Sequence, residues 1–147
     1  TKAQPGAFGE RVNEREIVEA LQAVCQRQAW SIVNFHVAPL FTNNLTGTPR
    51  GRHEWWIELR PGTVATPTGP AMAAQLDAEL QRVNPDYRAK RAGGAMDAPF
   101  VRLVMPGVFE HWLRFHRRWG GQHKLARCRR DRTIADELAE MTDFARY

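Results

Sequence analysis

Lys124 stands in the run Gly121-Gln122-His123-Lys124, and Arg127, Arg129, Arg130 and Arg132 follow it within eight positions. A lysine placed after a helix-ending glycine pair, here Gly120-Gly121, sits on an exposed loop from which an ammonium can be delivered to a site outside its own domain. The same placement also describes an ordinary solvated lysine. The four arginines could hold phosphate, because a guanidinium fork matches phosphate oxygens; a solvated basic edge is the alternative. His111 and His116 are five apart on one helix, off the spacing that aligns side chains, so no metal site is expected from them or from His123. Adjacent strand residues point to opposite faces, which leads one of Trp55 and Trp56 to be expected in the core. Cys25 and Cys128 have no metal-like spacing and read as reduced thiols. A Walker-type glycine loop, a Gly-x-Ser-x-Gly elbow and a His-Glu-x-x-His pair are all missing, so no self-contained active site is visible.

The chain that must position these groups has 147 residues, 43% of them apolar, with five tryptophans and seven phenylalanines. That is the size of one domain with a real core. Its net charge of +5 comes from 18 arginines and three lysines against 16 acids, a balance suited to phosphates, an acidic ligand or an acidic partner. Nucleic acid is disfavoured, since arginine in place of lysine also follows from base composition. No apolar run reaches the ~20 residues of a membrane span, and Thr1 to Phe8 has no signal pattern. The expectation is a soluble, cytoplasmic protein with no membrane partner.

Residues 1–8, with Pro5 and Gly6, read as a hinge or linker remnant, and 9–147 as the domain. Asn13 followed by Glu16 is a capping-box variant, and Ile17, Leu21 and Val24 repeat at helical spacing, predicting a helix over 13–28. Residues 30–38 are β-branched and aromatic and predict a strand; 43–51 form a loop; 53–59 predict a half-buried strand with Trp55, Ile57 and Leu59 on one face, pairing as a hairpin. A helix over 71–83 carries Met72, Leu76, Leu80 and Val83 on its apolar face, with Asp77 and Glu79 away from it, and Asn84-Pro85 stops it. A third strand over 98–105 follows, then a helix opened by Pro106-Gly107 with Phe109, Trp112, Leu113 and Phe115 toward the core. Residues 122–130 are expected to be exposed, and a last helix over 133–145 carries Ile134, Leu138 and Met141. The order predicts an α+β domain, a small mixed or antiparallel sheet of three to five strands with about four helices.

Asn84-Pro85-Asp86-Tyr87, Val101-Arg102-Leu103-Val104, Pro106-Gly107-Val108-Phe109 and Gly121-Gln122-His123-Lys124-Leu125-Ala126-Arg127-Cys128, with Phe8 to Glu14 upstream, resemble the C-terminal domain of the auxin-responsive promoter family. Those enzymes are acyl-acid amido synthetases of the adenylate-forming superfamily. The resemblance implies the mobile small lobe of a two-lobe ligase whose N-terminal lobe binds ATP, Mg2+ and a carboxylic acid. The acyl group then passes to an amine such as an amino acid. It also implies that Lys124 matches the lysine that enters the large lobe during adenylation, with Gln122 and Arg127 beside the nucleotide. His123 stands where the family usually has tyrosine, and Ala126 where it has proline. A second reading, from the charge alone, is a non-catalytic basic module that binds nucleic acid or an acidic protein through Arg127 to Arg132.

Overall fold

The computed structural model describes residues 6–42, 50–62, 66–118 and 124–145. Its elements run in the order α1 (Glu14–Gln28), β1 (Ile32–Phe41), β2 (Gly51–Leu59), α2 (Gly69–Val83), α3 (Pro85–Ala92), β3 (Phe100–Val104), α4 (Val108–Arg118) and α5 (Thr133–Ala145). The expected α+β class is what forms.

Local chemistry explains the boundaries. Asn13 caps α1 with a complete capping box: its Oδ1 accepts from the Glu16 N–H at 2.8 Å, and the Glu16 carboxylate accepts from the Asn13 N–H at 3.1 Å. Thr68 caps α2 through a single bond, its hydroxyl accepting from the Ala71 N–H at 3.1 Å. Asn84-Pro85 ends α2 as expected, but it also starts α3, an element the sequence reading did not include. Proline lacks the N–H that a first helical residue leaves unpaired, and its fixed φ suits that position. Asn84 therefore caps both helices: its backbone N–H closes α2 onto Leu80, and its side chain accepts from the Tyr87 N–H at 2.7 Å. α3 is the helix in excess of the four expected.

β1 and β2 pair antiparallel, with Val37 opposite Trp55 and His36 opposite Trp56, as the predicted hairpin requires. β3 pairs parallel with β2, so the three strands form a mixed sheet in the order β1-β2-β3. The loop read over 43–51 lies outside the described residues as far as 49. At its close, Gly51 lies so near the Leu40 carbonyl that a Cβ would fall 2.1 Å from its oxygen, a close approach only glycine allows.

β2 is central and covered on both faces, which corrects the half-buried strand. Trp55 and Ile57 enter a larger core with Ile17, Leu21, Val24, Leu76 and Leu80 of α1 and α2. Trp56 enters a smaller one with Phe109 and Trp112 of α4 and Ile134 and Leu138 of α5. Both tryptophans are therefore core residues, 0% and 1% exposed. The larger core also takes in Phe8, whose ring packs on Phe41 at 5.3 Å, so the packed body includes the last residue of the stretch read as linker.

Three further placements differ from expectation, the first being Val83, which is exposed at the last turn of α2. Phe115 is exposed, because α4 turns Val108, Phe109 and Trp112 inward, with Leu113 partly buried beside them as expected. Glu79 is buried rather than solvated: it sits between α2 and α1, where Arg27 reaches it across the interface and Arg82 from the same helix. Those guanidiniums, Arg82 first, hold its carboxyl below the usual range against the opposing effect of burial.

Candidate functional site

The segment from Lys124 to Arg132 is the part of the chain whose placement the sequence least anticipates. It is not a free basic loop. Arg127 to Arg129 lie along the outer edge of β1, where the Val37 N–H donates to the Arg127 carbonyl at 2.8 Å and the Arg129 N–H donates to the Val37 carbonyl at 3.1 Å. Val37 and Cys128 form a parallel bridge. Cys128 is fully buried in the larger core, while Leu125 and Ala126 pack against the smaller one. This corrects the expectation of an exposed segment: three small or apolar residues, spaced among arginines, let it straddle the sheet edge. Burial pushes the Cys128 thiol up to about 12, as for an inert core cysteine, and neither cysteine forms a disulfide.

The far end of the segment is tied more tightly. Glu54 of β2 is fully buried and accepts from Arg132 at 2.9 Å, from Arg102 of β3 at 2.7 Å and from the Trp56 indole at 2.9 Å. Arg132 also donates to the Pro39 carbonyl and to Asp136. Asp131 caps α5 by accepting from the Thr133 N–H at 3.0 Å, and the Arg129 guanidinium beside it holds its carboxyl down to about 2. Arg130 donates to the Gly6 carbonyl. Of the arginine cluster read as a possible phosphate site, Arg129 and Arg132 are therefore paired with carboxylates of the chain, while Arg130 is held by a backbone carbonyl. Arg127 makes no ion pair with any described residue.

Lys124 is exposed at the head of this tied segment and likewise makes no ion pair with a described residue. Arg127 is exposed too, and lies where two grooves along α1 meet. One, of about 340 Å³, runs between α1 and the start of β1 over Leu21, Cys25 and Phe35. Gln122 and His123, with the Gly120-Gly121 stop, lie outside the described residues.

The remaining candidates are structural. His116 stacks on Trp112 with ring centroids 4.0 Å apart and meets Glu137 at 3.1 Å, while His111 lies exposed. Among the described residues no group of three His, Cys, Asp or Glu side chains could hold a metal. The motif at 84–87 builds the scaffold: Tyr87 is buried and its hydroxyl donates to Asp77 at 2.7 Å, while Arg91 forks onto the same carboxylate. Burial alone would raise the Asp77 carboxyl, but these bonds outweigh it and hold it below the usual range.

Several buried polar groups escaped the sequence reading. His53 lies 2.6 Å from Glu10 with both side chains fully buried, and His36 lies under α5 on the same sheet face as Trp56. A polar residue in a strand reads as solvent-facing unless both faces are known to be covered. The one available signal was the density of apolar residues around 35–40 and 55–57.

Comparison with known proteins places this geometry. A model described as the GH3 family C-terminal domain matches residues 15–133. No curated protein sequence matches the chain. Among solved structures, the AtGH3.15 acyl acid amido synthetase in complex with 2,4-DB superposes with a TM-score of 0.68 at 15% identity, over 90% of this chain and 24% of that one. A second structure, GH3.15 acyl acid amido synthetase, gives a TM-score of 0.65 at 14% identity, over 92% of this chain and 25% of that one. At such identities the likeness is one of fold, and the chain spans about a quarter of the length of these proteins.

Proposed function

The chain belongs to the GH3 family, as its C-terminal domain, and from that premise we propose that it is the small lobe of an ATP-dependent acyl-acid amido synthetase. Its partner in this reading is an N-terminal adenylate-binding lobe of the same protein, joined through a hinge in the region of residues 1–8. The substrates are a small carboxylic acid and an amine such as an amino acid, in the cytoplasm.

Lys124 carries the chemistry. Attack of an acyl carboxylate on the α-phosphorus of ATP, with loss of pyrophosphate, builds negative charge on phosphoryl oxygens. An ammonium held at that place stabilises this charge, far more so in a site from which water is excluded. Arg127, and Gln122 at the other side of Lys124, are assigned to the nucleotide as well. Mg2+ supplies further charge neutralisation when bound; no described cluster here is built to hold it, so its ligands are assigned to the large lobe. Closure of this domain also shields the acyl-adenylate from water before the amine attacks.

The observation that supports the reading is an exposed lysine without a described ion-pair partner, presented from a segment anchored at the sheet edge. Two of the four neighbouring arginines, Arg129 and Arg132, are instead paired with carboxylates of the chain, which weakens the basic-module alternative. Lys124→Ala in the intact enzyme is expected to slow ATP-pyrophosphate exchange by about 100-fold, in keeping with loss of one donor to a developing anion. A rate within about threefold of wild type, below ~1 kcal/mol, would remove Lys124 from the reaction.

A further inference from the structure

On the sheet face that α4 and α5 cover, His36 has Ala38 after it on the strand and Trp56 opposite on β2, both buried, with Asn34 before it and the buried Glu54 and Glu58 on either side of Trp56. His36 is itself fully buried. Its Nδ1 lies 2.6 Å from the Ala126 carbonyl oxygen, and its Nε2 has no partner among the described residues. A carbonyl can only accept, so the bond fixes the tautomer with the proton on Nδ1. Burial, reinforced by the Arg129 charge, lowers the imidazole to about 4, with Ala126, Asp131 and Glu54 acting in the opposite direction. The ring is therefore neutral at neutral pH. A buried nitrogen left unpaired is a standing cost, and an apolar side chain of similar size would avoid it. What histidine supplies at this position is the bond to Ala126.

Ala126 lies two residues beyond Lys124, so the two α-carbons are separated by at most about 7 Å of chain. No proline lies between Lys124 and Arg132 to stiffen the backbone. The bonds from Val37 hold Arg127 and Arg129, and among the described residues the Ala126 carbonyl is the last backbone group of the segment tied to the sheet before Lys124. We infer that His36 is a positioning residue for Lys124, its Nδ1–H fixing the height of the segment against the edge of β1 so that the ammonium is presented in one place.

This inference rests on the Lys124 reading above. A shift of about 1 Å in a positioned group can cost on the order of 100-fold in rate, so the effect should be large and should act through Lys124.

The test compares His36→Asn, His36→Gln and His36→Phe in the intact enzyme. Asparagine carries an N–H near the place of Nδ1, glutamine near that of Nε2, and phenylalanine neither. Asparagine should keep kcat for ATP-pyrophosphate exchange within threefold. Glutamine and phenylalanine should lower kcat at least tenfold at unchanged KM for ATP, and speed hydrogen exchange at the Val37 and Arg129 amides, the two N–H groups that pair the segment to β1. In a Lys124→Ala background none of the three should change the rate further.

If Lys124→Ala abolishes exchange but His36→Gln and His36→Asn are equally active, His36 only fills space and the inference falls alone. Unaltered hydrogen exchange at those amides in His36→Gln would overturn it as well. If Lys124→Ala is itself silent, the functional reading falls and the inference with it. Should His36→Phe fail to fold, the contrast between asparagine and glutamine decides.

Discussion

Glu54 shows how a single residue can hold distant parts of the chain. Its carboxylate is fully buried, yet both oxygens are used, by Arg132 ahead of α5, by Arg102 on β3 and by the Trp56 indole. Removing one partner of a buried ion pair leaves the other uncompensated and costs more than the pair is worth. Glu54→Ala is therefore expected to destabilise the domain by about 3–5 kcal/mol in urea denaturation. Arg102→Ala should cost less, about 1–3 kcal/mol, because it strips the buried carboxylate of one partner while Arg132 and the Trp56 indole still hold its other oxygen. Equal losses for the two variants would contradict this account. The same logic separates Lys124 from its neighbours: an arginine paired inside the fold is poorly placed to serve a substrate, whereas Lys124 and Arg127 stand unpaired with described residues.

Helices and strands are tied together by a few shared caps. Asn84 ends α2, starts α3, and donates to the Arg11 carbonyl at 2.9 Å and to Glu16 of α1 at 3.0 Å. A cap alone is worth about 0.5–2 kcal/mol, and here buried bonds to the start of α1 are added. Asn84→Ala should lower stability by about 2–3 kcal/mol, with each lost bond contributing about 1, while Asn84→Asp keeps the cap acceptor but sets a buried carboxylate oxygen against the Arg11 carbonyl and the Glu16 carboxylate, and should lose at least as much. A circular-dichroism melt in which both variants unfold at the wild-type temperature would show that these bonds are unimportant. The element missed in the sequence, α3, belongs to this group. Pro85 reads as a stop because proline disfavours helix in the residue before it, but the same proline is an ordinary first residue of the next helix.

In the whole molecule, the sheet has helices on both faces and separates two cores. Trp55 faces one and Trp56 the other. Trp55→Ala and Trp56→Ala are each expected to cost about 3–5 kcal/mol, the usual range for a large buried aromatic, by chemical denaturation. A half-buried hairpin would lose that much at only one of the two positions. The arrangement also places the Lys124 segment: β1 is the edge strand beside which it lies, and it packs on both cores at once.

Much of this was legible in the chain because it depends on neighbours in sequence. The capping box at Asn13, the apolar repeat of α1 and α2, the hairpin of β1 and β2, the helix over 133–145 and the family-like run around Lys124 are all local patterns, set by backbone geometry and side-chain periodicity. The rest depends on what packs from far away. Whether Trp56 is buried is decided by α4 and α5, more than fifty residues downstream. Whether Glu79, Glu54 and Asp77 are solvated or paired is decided by arginines on other elements. Composition marks residues 122–130 as basic and therefore exposed, but Cys128 and Ala126 find a sheet edge and a histidine donor only once β1 is in place. Lys124 was visible as a residue type in a recognisable run; its mounting on β1 is a property of the tertiary structure, because hydrogen bonds between positions some ninety residues apart leave no pattern in sequence.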